Sequence, residues 1–393
     1  MKIEYLIFFY MTVSILMGAF ELCFLLYERI RDKAFDMRSK RMAEVLGREI
    51  EENADFPTEE HKRIIRKNMK RLAGLESFDL SMEQLQQTDA KKSERYLLGI
   101  SSVFEYLIRY FASKSDLHKA YFAYIIRCWY RQSPASSNVI TGLLKYVSEG
   151  SLYARQNALE ALAQVGTAKS LVEALVTLEN YVDFHHPKLI TETTMAFRGS
   201  TEELTRELER RFQEFRPSMQ AAIIHYMRMR GGGDPELYFM LLQDSEENAE
   251  VRLACIRYFM RYPDPRVAPI LRSMALSEDA GSWEYAAVAV TALESYIDDE
   301  TIAVLITCLS SPLWYVRFNA AKTLYDAGLS LEGPRLESLM KDGDRYAMDM
   351  LRYRWEIEKE VGSLEKGSSK KELLAADGSF EDDAAVGEVK TQS

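Results

Sequence analysis

The chain opens with an apolar run from Tyr5 to Tyr27, which is followed at once by the charged segment 28–33. The run holds about 23 residues, and at about 1.5 Å per helical residue these cover the roughly 30 Å hydrocarbon core of a bilayer. A secretory signal peptide fits less well, because its apolar stretch is about 7–15 residues long and ends at a small-x-small cleavage site. This run ends in Leu-Leu-Tyr. The pattern therefore predicts a single transmembrane helix that remains in the mature protein.

Basic residues lie almost entirely on the C-terminal side of the predicted span, and only Lys2 precedes it. Positively charged flanks stay in the cytoplasm. We therefore expect a single-pass protein of the plasma (inner) membrane of a bacterial-type cell, with its N-terminus outside and its large C-terminal domain cytoplasmic. The basic residues on the C-terminal side are Arg29, Arg31, Lys33, Arg38, Lys40 and Arg41.

Ser14, Gly18 and Glu21 share one face of the predicted span, at positions i, i+4 and i+7. Small residues let helices approach closely in a bilayer, and a carboxyl group there can hydrogen-bond to a second helix. An isolated charge in this position costs a few kcal/mol unless it is protonated, paired or able to reach the headgroups. The face predicts a lateral membrane partner, and the alternative is that Glu21 reaches the nearby interface.

Beyond the span, helical patterning continues nearly everywhere and no convincing alternating strand occurs, which predicts an all-α fold. From about residue 143 the pattern recurs with a period of about 32 residues, as expected of a repeat architecture. Arg155, Arg252 and Arg317 mark equivalent positions close to three and two periods apart. Turn signals such as Asp234-Pro235 and Asp264-Pro265 recur at a similar interval and supply an N-cap acceptor followed by proline. Each unit is therefore predicted to be two antiparallel helices.

Segments 251–252, 316–324 and 154–155 resemble the HEAT-repeat family, whose second helix carries a Val-Arg-x-x-Ala-Ala-x-x-Leu type of pattern. The resemblance covers about residues 138–353, although Lys188 and Gln220 replace the family arginine. It implies an armadillo-like α-solenoid that acts as a scaffold and binds partners on its surface. We expect Arg155, Arg252 and Arg317 to bond to neighbouring turns and to hold the repeats in register.

These patterns divide the chain into four parts. Residues 1–33 form the anchor and its basic flank, and residues 34–136 form a helical juxtamembrane region or degenerate N-terminal repeats. Residues 137–360 form the HEAT-like repeats with a C-terminal cap. Residues 361–393 are acidic, rich in Ser and Gly and poor in large apolar residues, which predicts a disordered tail.

A basic segment, 61–72, lies near the membrane in the sequence and is predicted to be helical, with Ile65, Met69 and Leu72 on one face. Such a helix can lie on an anionic lipid surface, where each basic group contributes about 1 kcal/mol. The alternative is a solvated face that pairs with nearby glutamates. The basic residues are Lys62, Arg63, Arg66, Lys67, Lys70 and Arg71.

Trp283 and Trp314 occupy comparable places in successive repeats, and Tyr315 lies beside the second. Aromatic residues about one repeat apart predict a ridge that anchors a partner peptide. The alternative is that they pack between repeats. Segment 183–186, Asp-Phe-His-His, lacks a second ligand pair at a readable spacing, so no metal site is predicted.

Composition narrows the classes of function. A net charge of -10 argues against a general nucleic-acid binder, and the four cysteines form no CxxC pair. No nucleotide-binding loop, GxSxG or HExxH motif is present, so neither an enzyme nor a cofactor is expected.

The prediction is a membrane-tethered scaffold whose partner is a membrane protein or complex, for example a glycosyltransferase or a transport machine. The alternative is a tethered solenoid enzyme or nucleic-acid-binding factor.

Overall fold

The computed structural model describes residues 3–179, 187–277, 283–328 and 345–365, which contain helices and no strand. The all-α class and the two-helix repeats predicted from the sequence are confirmed. The helices are α1 (Ile3–Asn53), α2 (Glu59–Asn68), α3 (Leu72–Thr88), α4 (Ala90–Gly99), α5 (Ser101–Phe111), α6 (Asp116–Trp129), α7 (Ser137–Glu149), α8 (Leu152–Val165), α9 (Ala168–Leu178), α10 (Pro187–Met195), α11 (Thr201–Arg210), α12 (Pro217–Arg230), α13 (Pro235–Gln243), α14 (Ala249–Arg261), α15 (Ala268–Ala275), α16 (Trp283–Ala292), α17 (Asp299–Cys308), α18 (Trp314–Asp326) and α19 (Arg345–Glu365).

The chain divides into two compact units, Met1–Tyr226 and Met227–Ser393. In the N-terminal unit, α2, α5, α7, α9 and α11 pack in sequence as one layer, which we call the first-helix layer. The C-terminal half of α1 packs on α3, and α3, α6, α8 and α10 continue from it as the second-helix layer. The two-layer arrangement thus begins at α1 and α2, well before residue 137.

Helices within the first-helix layer run in the same direction. The amide of Asn138 in α7 donates to Glu105 of α5 at 3.3 Å, and the Tyr146 hydroxyl donates to the carbonyl of Ile108 at 2.9 Å. Between the layers lies an aromatic core in which Phe104 contacts Phe78 and Phe122, each with 6.3 Å between ring centroids. Buried aromatic side chains of this size contribute much of the stability of such a small repeat.

The C-terminal unit consists of the pairs α13–α14, α15–α16 and α17–α18, followed by α19, which packs on α18. Side chains bond to backbone carbonyls one repeat away. The Asn319 amide donates to Ala287 at 2.9 Å and the Thr323 hydroxyl to Val290 at 3.2 Å, across 32 and 33 residues of sequence. The spacing of these bonds matches the repeat length read from the sequence.

The aspartate–proline turns cap helices as expected. The Asp234 carboxylate accepts from the backbone N–H groups of Glu236 and Leu237, at 3.0 and 3.3 Å. The glycines that follow helices differ in backbone conformation. Gly328 adopts a left-handed backbone, with φ of 76°. Gly166 has φ of -84°, and there glycine is required because a Cβ would lie 2.5 Å from the Leu162 carbonyl oxygen.

Two predicted boundaries differ from the observed helices. The basic segment is not one helix, because α2 ends at Asn68 and α3 begins at Leu72. Gly74 permits this sharp turn, since a Cβ at that position would lie 1.9 Å from the Asn68 carbonyl oxygen. At the other end, α19 extends to Glu365, so residues 361–365 are helical. The remainder of the predicted tail, 366–393, lies outside the described residues.

Candidate interaction surfaces

The N-terminal part of α1 is the candidate membrane span. Its apolar window has a mean hydropathy of 1.9, and none of that window is buried, unlike the core helix of a soluble protein. Ser14, Gly18 and Glu21 are all exposed on this helix, and no atom lies within 4 Å of a Cβ placed on Gly18. By length and composition the helix can cross a bilayer, and the face predicted to bind a lateral partner is unoccupied by other parts of the described chain.

The candidate span continues without a break into the packed part of the same helix. Helix α1 is 51 residues long, and Met42, Leu46 and Ile50 on its C-terminal half are buried. Their spacing of four residues gives a helical stripe that faces α3 and α4. The helix that contains the candidate span is therefore also the first helix of the second-helix layer, with no flexible linker between the two parts.

Three elements meet at His61, which is only 5% exposed. Its Nε2 lies 2.8 Å from the Tyr96 hydroxyl of α4, and its Nδ1 lies 3.8 Å from the Glu49 carboxylate of α1. Burial lowers the pKa of His61, and the Glu49 charge partly opposes that effect. Glu49 also accepts from the backbone N–H of Thr58 at 2.6 Å, so one carboxylate joins α1 to the start of α2.

The six basic residues of segment 61–72 occupy different environments. Lys62 pairs with Glu59 at 2.9 Å, as the alternative interpretation expected. Arg66 and Lys70 lie over the ring of Tyr106, at 5.1 and 5.0 Å from its centroid, and Lys70 also lies 4.9 Å from that of Tyr110. The hydrogen bond from Lys70 lowers the pKa of Tyr106. The three remaining residues, Arg63, Lys67 and Arg71, are exposed.

The apolar face of this segment is turned into the protein. Ile65 and Met69 have no exposed surface. Because these side chains fill the core, the segment offers charge to its surroundings and not an apolar helix face.

A partly exposed group of aromatic side chains spans two repeats of the C-terminal unit. We call it the aromatic ridge, and it consists of Trp283, Trp314, Tyr315 and Phe318. Trp283 stacks on Tyr315 with 5.3 Å between ring centroids. Trp314 meets Tyr315 edge to face at 5.0 Å and stacks on Phe318 at 5.0 Å. Trp314 and Tyr315 remain 48% and 47% exposed. The residues thus pack between repeats and also present a half-exposed apolar surface.

Arginines border the ridge on both sides. The Arg354 guanidinium of α19 lies 5.8 Å from the centroid of Phe318. Arg252 of α14 lies 5.0 Å from that of Tyr285, which is two residues from Trp283 on α16. One arginine therefore lies at each border of the ridge, although the chain as a whole is acidic.

The repeat arginines contact turns. The Arg252 guanidinium donates two bonds of 3.4 Å to the carbonyl of Leu242 near the end of α13. Arg317 donates to the carbonyl of Ser311, at 2.5 Å, in the turn before α18. Arg155 is 8% exposed on α8. Arg252 thus holds the end of the first helix of its repeat, and Arg317 holds the turn that follows the first helix of its repeat.

Two cavities in the described parts of the chain contain ion pairs. One, of about 220 Å³, lies between α6, α8 and α10, where Arg127 pairs with Glu160. The other, of about 490 Å³, lies beside α15, where Arg272 pairs with Asp298 and Glu300. In the residues described, no group of three His, Cys, Asp or Glu side chains is placed to hold a metal ion. The predicted loop with His185 and His186 lies outside them.

The structure also contains a cluster of acidic and aromatic side chains on α3 and α6 that the sequence pattern did not indicate. The Asp79 carboxylate accepts from the Trp129 indole N–H at 2.6 Å and from the Tyr121 hydroxyl at 3.3 Å. Burial, with Asp79 and Glu76 nearby, raises the pKa of Tyr121. The partners are about 40 to 50 residues apart, so only the packing of adjacent repeats brings them together.

Comparison with known proteins agrees with these repeats. Residues 276–349 match the family described as HEAT repeats, a segment that includes α16, α17 and α18. No curated protein matches the chain. The matched segment, together with the paired helices and the repeat spacing, supports a HEAT-repeat family for this chain.

Proposed function

We propose that this HEAT-repeat protein is a membrane-tethered scaffold, and that the aromatic ridge binds an extended segment of a partner protein. The observation that carries the proposal is the stack of Trp283 on Tyr315 with Trp314 beside it, which holds large rings in place while about half of the surface of Trp314 and Tyr315 stays exposed. Rigid aromatic side chains lose little conformational entropy on binding and dominate many interfaces.

The charge at the borders of the ridge indicates the kind of segment it takes. Arg252 and Arg354 lie at opposite borders. A segment with one or two apolar anchors followed by acidic residues would place its apolar side chains on the rings and its carboxylates near the guanidinium groups. This pattern makes acidic, apolar-anchored peptides the preferred class of partner.

The exposed face of α1 supports a partner within the bilayer. Ser14 and Gly18 leave room for a second helix, and Glu21 supplies a polar group with no partner among the described residues. A membrane protein or complex, such as a glycosyltransferase or a transport machine, would supply both a helix in the bilayer and a cytoplasmic segment. Two weak contacts on one molecule reinforce each other through their effective concentration.

Co-purification tests the ridge. Full-length protein is purified from mild detergent as the parent chain, as Trp314→Ala/Tyr315→Ala, and as the control Phe56→Ala, which removes an aromatic side chain that is 87% exposed. Loss of specific partners from the ridge variant alone is expected. Retention of every partner by a folded ridge variant would contradict binding at the ridge.

Glu21→Leu tests the bilayer contact separately. Reduced recovery of a membrane protein is expected because the variant removes the polar group on the proposed helix face. Unchanged recovery would show that the span acts only as an anchor. Turnover of a substrate or salt-dependent DNA binding by the purified protein would instead favour the tethered enzyme or nucleic-acid factor.

A further inference from the structure

One edge of the N-terminal unit is formed by the turns that lead from first-layer to second-layer helices. Lys70, in the turn between α2 and α3, lies 4.9 Å from the ring centroid of Tyr110. Lys114, in the turn between α5 and α6, lies 4.9 Å from the same centroid. These two turns are therefore adjacent.

The turn between α7 and α8 lies on the same edge. Because α5 and α7 run in the same direction, with Asn138 beside Glu105 and Tyr146 beside Ile108, their C-terminal ends lie together. We call the edge made by these three turns the basic edge, and it consists of residues 67–71, 112–117 and 149–153.

One hydrogen bond shows which part of α1 lies beside the basic edge. The Ser81 hydroxyl of α3 donates to the carbonyl of Ser39 in α1, at 3.1 Å. Further along, a Cβ on Gly47 would lie 3.5 Å from Leu85, so the two helices run in the same direction. Leu72, where α3 begins, precedes Ser81 by about nine residues, or ~14 Å of helix. The same distance along α1 reaches residue 30, just beyond the apolar run.

The basic edge carries unpaired positive charge. Lys67, Arg71 and Lys114 are exposed and have no carboxylate within 4 Å among the described residues, and the same holds for the half-buried Lys70. The acidic groups of the edge are already paired, Asp116 with Lys119 at 3.3 Å and Glu149 with Lys145 at 3.7 Å.

The opposite end of α1 and α2 is rich in acidic residues, namely Glu51, Glu52, Asp55, Glu59 and Glu60. Along α1 and α2, the acidic residues therefore lie at the end away from the apolar run, and the basic edge lies at the end near it.

Large apolar side chains project from the same edge. Leu117 at the start of α6 is 65% exposed, and at the start of α8 Leu152 and Tyr153 are 47% and 77% exposed. Exposed leucine and tyrosine beside lysine and arginine are the composition of surfaces that enter the headgroup region of a bilayer.

We infer that the basic edge rests on the anionic phospholipid headgroups of the leaflet from which α1 emerges, with Leu117, Leu152 and Tyr153 at the level of the headgroups. This inference depends on the membrane tether of the proposed function. It replaces contact along the whole of α2 with contact at one edge, because α2 reaches the membrane level only at its C-terminal end. The lipid contact would fix the orientation of the N-terminal unit relative to the bilayer.

Site-specific fluorescence quenching tests the inference in the full-length protein. The background is Cys23→Ser/Cys128→Ser, which leaves only the buried Cys255 and Cys308. A fluorophore is attached at Tyr153→Cys or, as the position away from the membrane, at Phe56→Cys. Phe56 follows the C-terminal end of α1, and that end lies ~38 Å of helix from Glu28. The protein is reconstituted in phosphatidylcholine with or without phosphatidylglycerol, and lipids with nitroxide headgroups act as the quencher.

Strong quenching at position 153 in phosphatidylglycerol bilayers, and little at position 56, is the expected result. Lys67→Gln/Arg71→Gln/Lys114→Gln should reduce quenching at 153 to its level in pure phosphatidylcholine. A matched control, Arg63→Gln/Lys91→Gln/Lys169→Gln, removes the same charge from exposed positions away from the basic edge and should leave quenching unchanged. Lys70 is kept in both variants because it packs on Tyr106 and Tyr110.

Resistance to alkaline carbonate extraction separates the two proposals. If the protein is extracted, α1 does not span the bilayer and the tether itself is wrong. If the protein stays in the membrane but position 153 is not quenched, or is quenched equally in both variants, the lipid contact is overturned while the tether stands.

Discussion

The indole ring of Trp283 stacks on the phenol ring of Tyr315, with 27° between the ring planes, so one aromatic contact joins the second helices of two successive repeats. Tyr315 also supports Trp314, whose indole ring reaches Phe318. The contact therefore stabilises the repeats and sets the shape of the exposed ridge. Changes at Tyr315 are expected to affect both properties.

Tyr315→Ala should lower the free energy of unfolding by about 1–2 kcal/mol, because it removes two ring contacts and part of the buried apolar surface. Tyr315→Phe should have little effect, since the ring remains. Tyr353→Ala is a suitable control, because Tyr353 is 52% exposed and has no ring contact in the described chain. Denaturant titrations compare the three variants, and equal losses from Tyr315→Ala and Tyr353→Ala would contradict the prediction.

Arg317→Met should destabilise the turn between α17 and α18. The charged donor to the Ser311 carbonyl is lost, and hydrogen bonds of this type contribute about 1.5–3 kcal/mol. Hydrogen exchange should therefore speed up at residues 309–313 before the rest of α18. Lys322→Met serves as the control because it breaks only the partly exposed pair with Asp326, which is worth less than about 1 kcal/mol. Unchanged protection of the turn would rule out this role for Arg317.

Stability should depend on pH through His61. Burial depresses the pKa of His61 in the folded protein, so below the ordinary value of about 6.5 the unfolded chain binds more protons than the folded one. The free energy of unfolding should therefore fall as the pH decreases below about 6.5, by at most about 1.4 kcal/mol per pH unit for one group. Denaturant titrations at several pH values measure this slope.

His61→Gln isolates that contribution from the other histidines. Its unfolding should lose the part of the pH dependence that belongs to His61, while the slope due to the rest of the chain remains. Parent and variant curves with the same slope below pH 6.5 would show that His61 does not titrate on unfolding in the expected way.

Gly142→Ala should disturb the packing of α7 on α5. A Cβ at Gly142 would lie 2.4 Å from Cγ1 of Ile108, so the two helices must move apart, at a cost of about 1–3 kcal/mol. Gly47→Ala is the control, because its Cβ would make an ordinary 3.5 Å contact with Leu85. Thermal unfolding compares the two, and a neutral Gly142→Ala variant would mean that Ile108 adopts another rotamer at little cost.

Several features could be read from the sequence because they are local or periodic. Arg252 and Arg317 recur with the repeat, and Asp234-Pro235 caps the helix that the dipeptide predicts. The stacking of Trp283 on Tyr315 follows from the same period, since residues one repeat apart in second helices lie side by side. The fold class was therefore accessible from periodicity alone.

The environment of Lys70 was not accessible in this way. Its contacts with Tyr106 and Tyr110 depend on the packing of α2 against α5, and helix-surface patterns predict only neighbours three or four residues apart. The continuation of α1 past residue 33 was also missed. The stripe of Met42, Leu46 and Ile50 was visible, but the charged residues around it resemble a solvated flank.

In the proposed membrane tether, the unbroken helix α1 would make the span and the N-terminal unit rotate together as one rigid body. Between Glu28 and Ser39 there is neither glycine nor proline, so a rotation of the Glu21 face about the axis of α1 would be transmitted to the residues packed on α3. One residue inserted there would turn the unit by about 100° around the membrane normal and displace it by about 1.5 Å. Seven inserted residues would nearly restore the azimuth and leave the unit about 10 Å further from the bilayer.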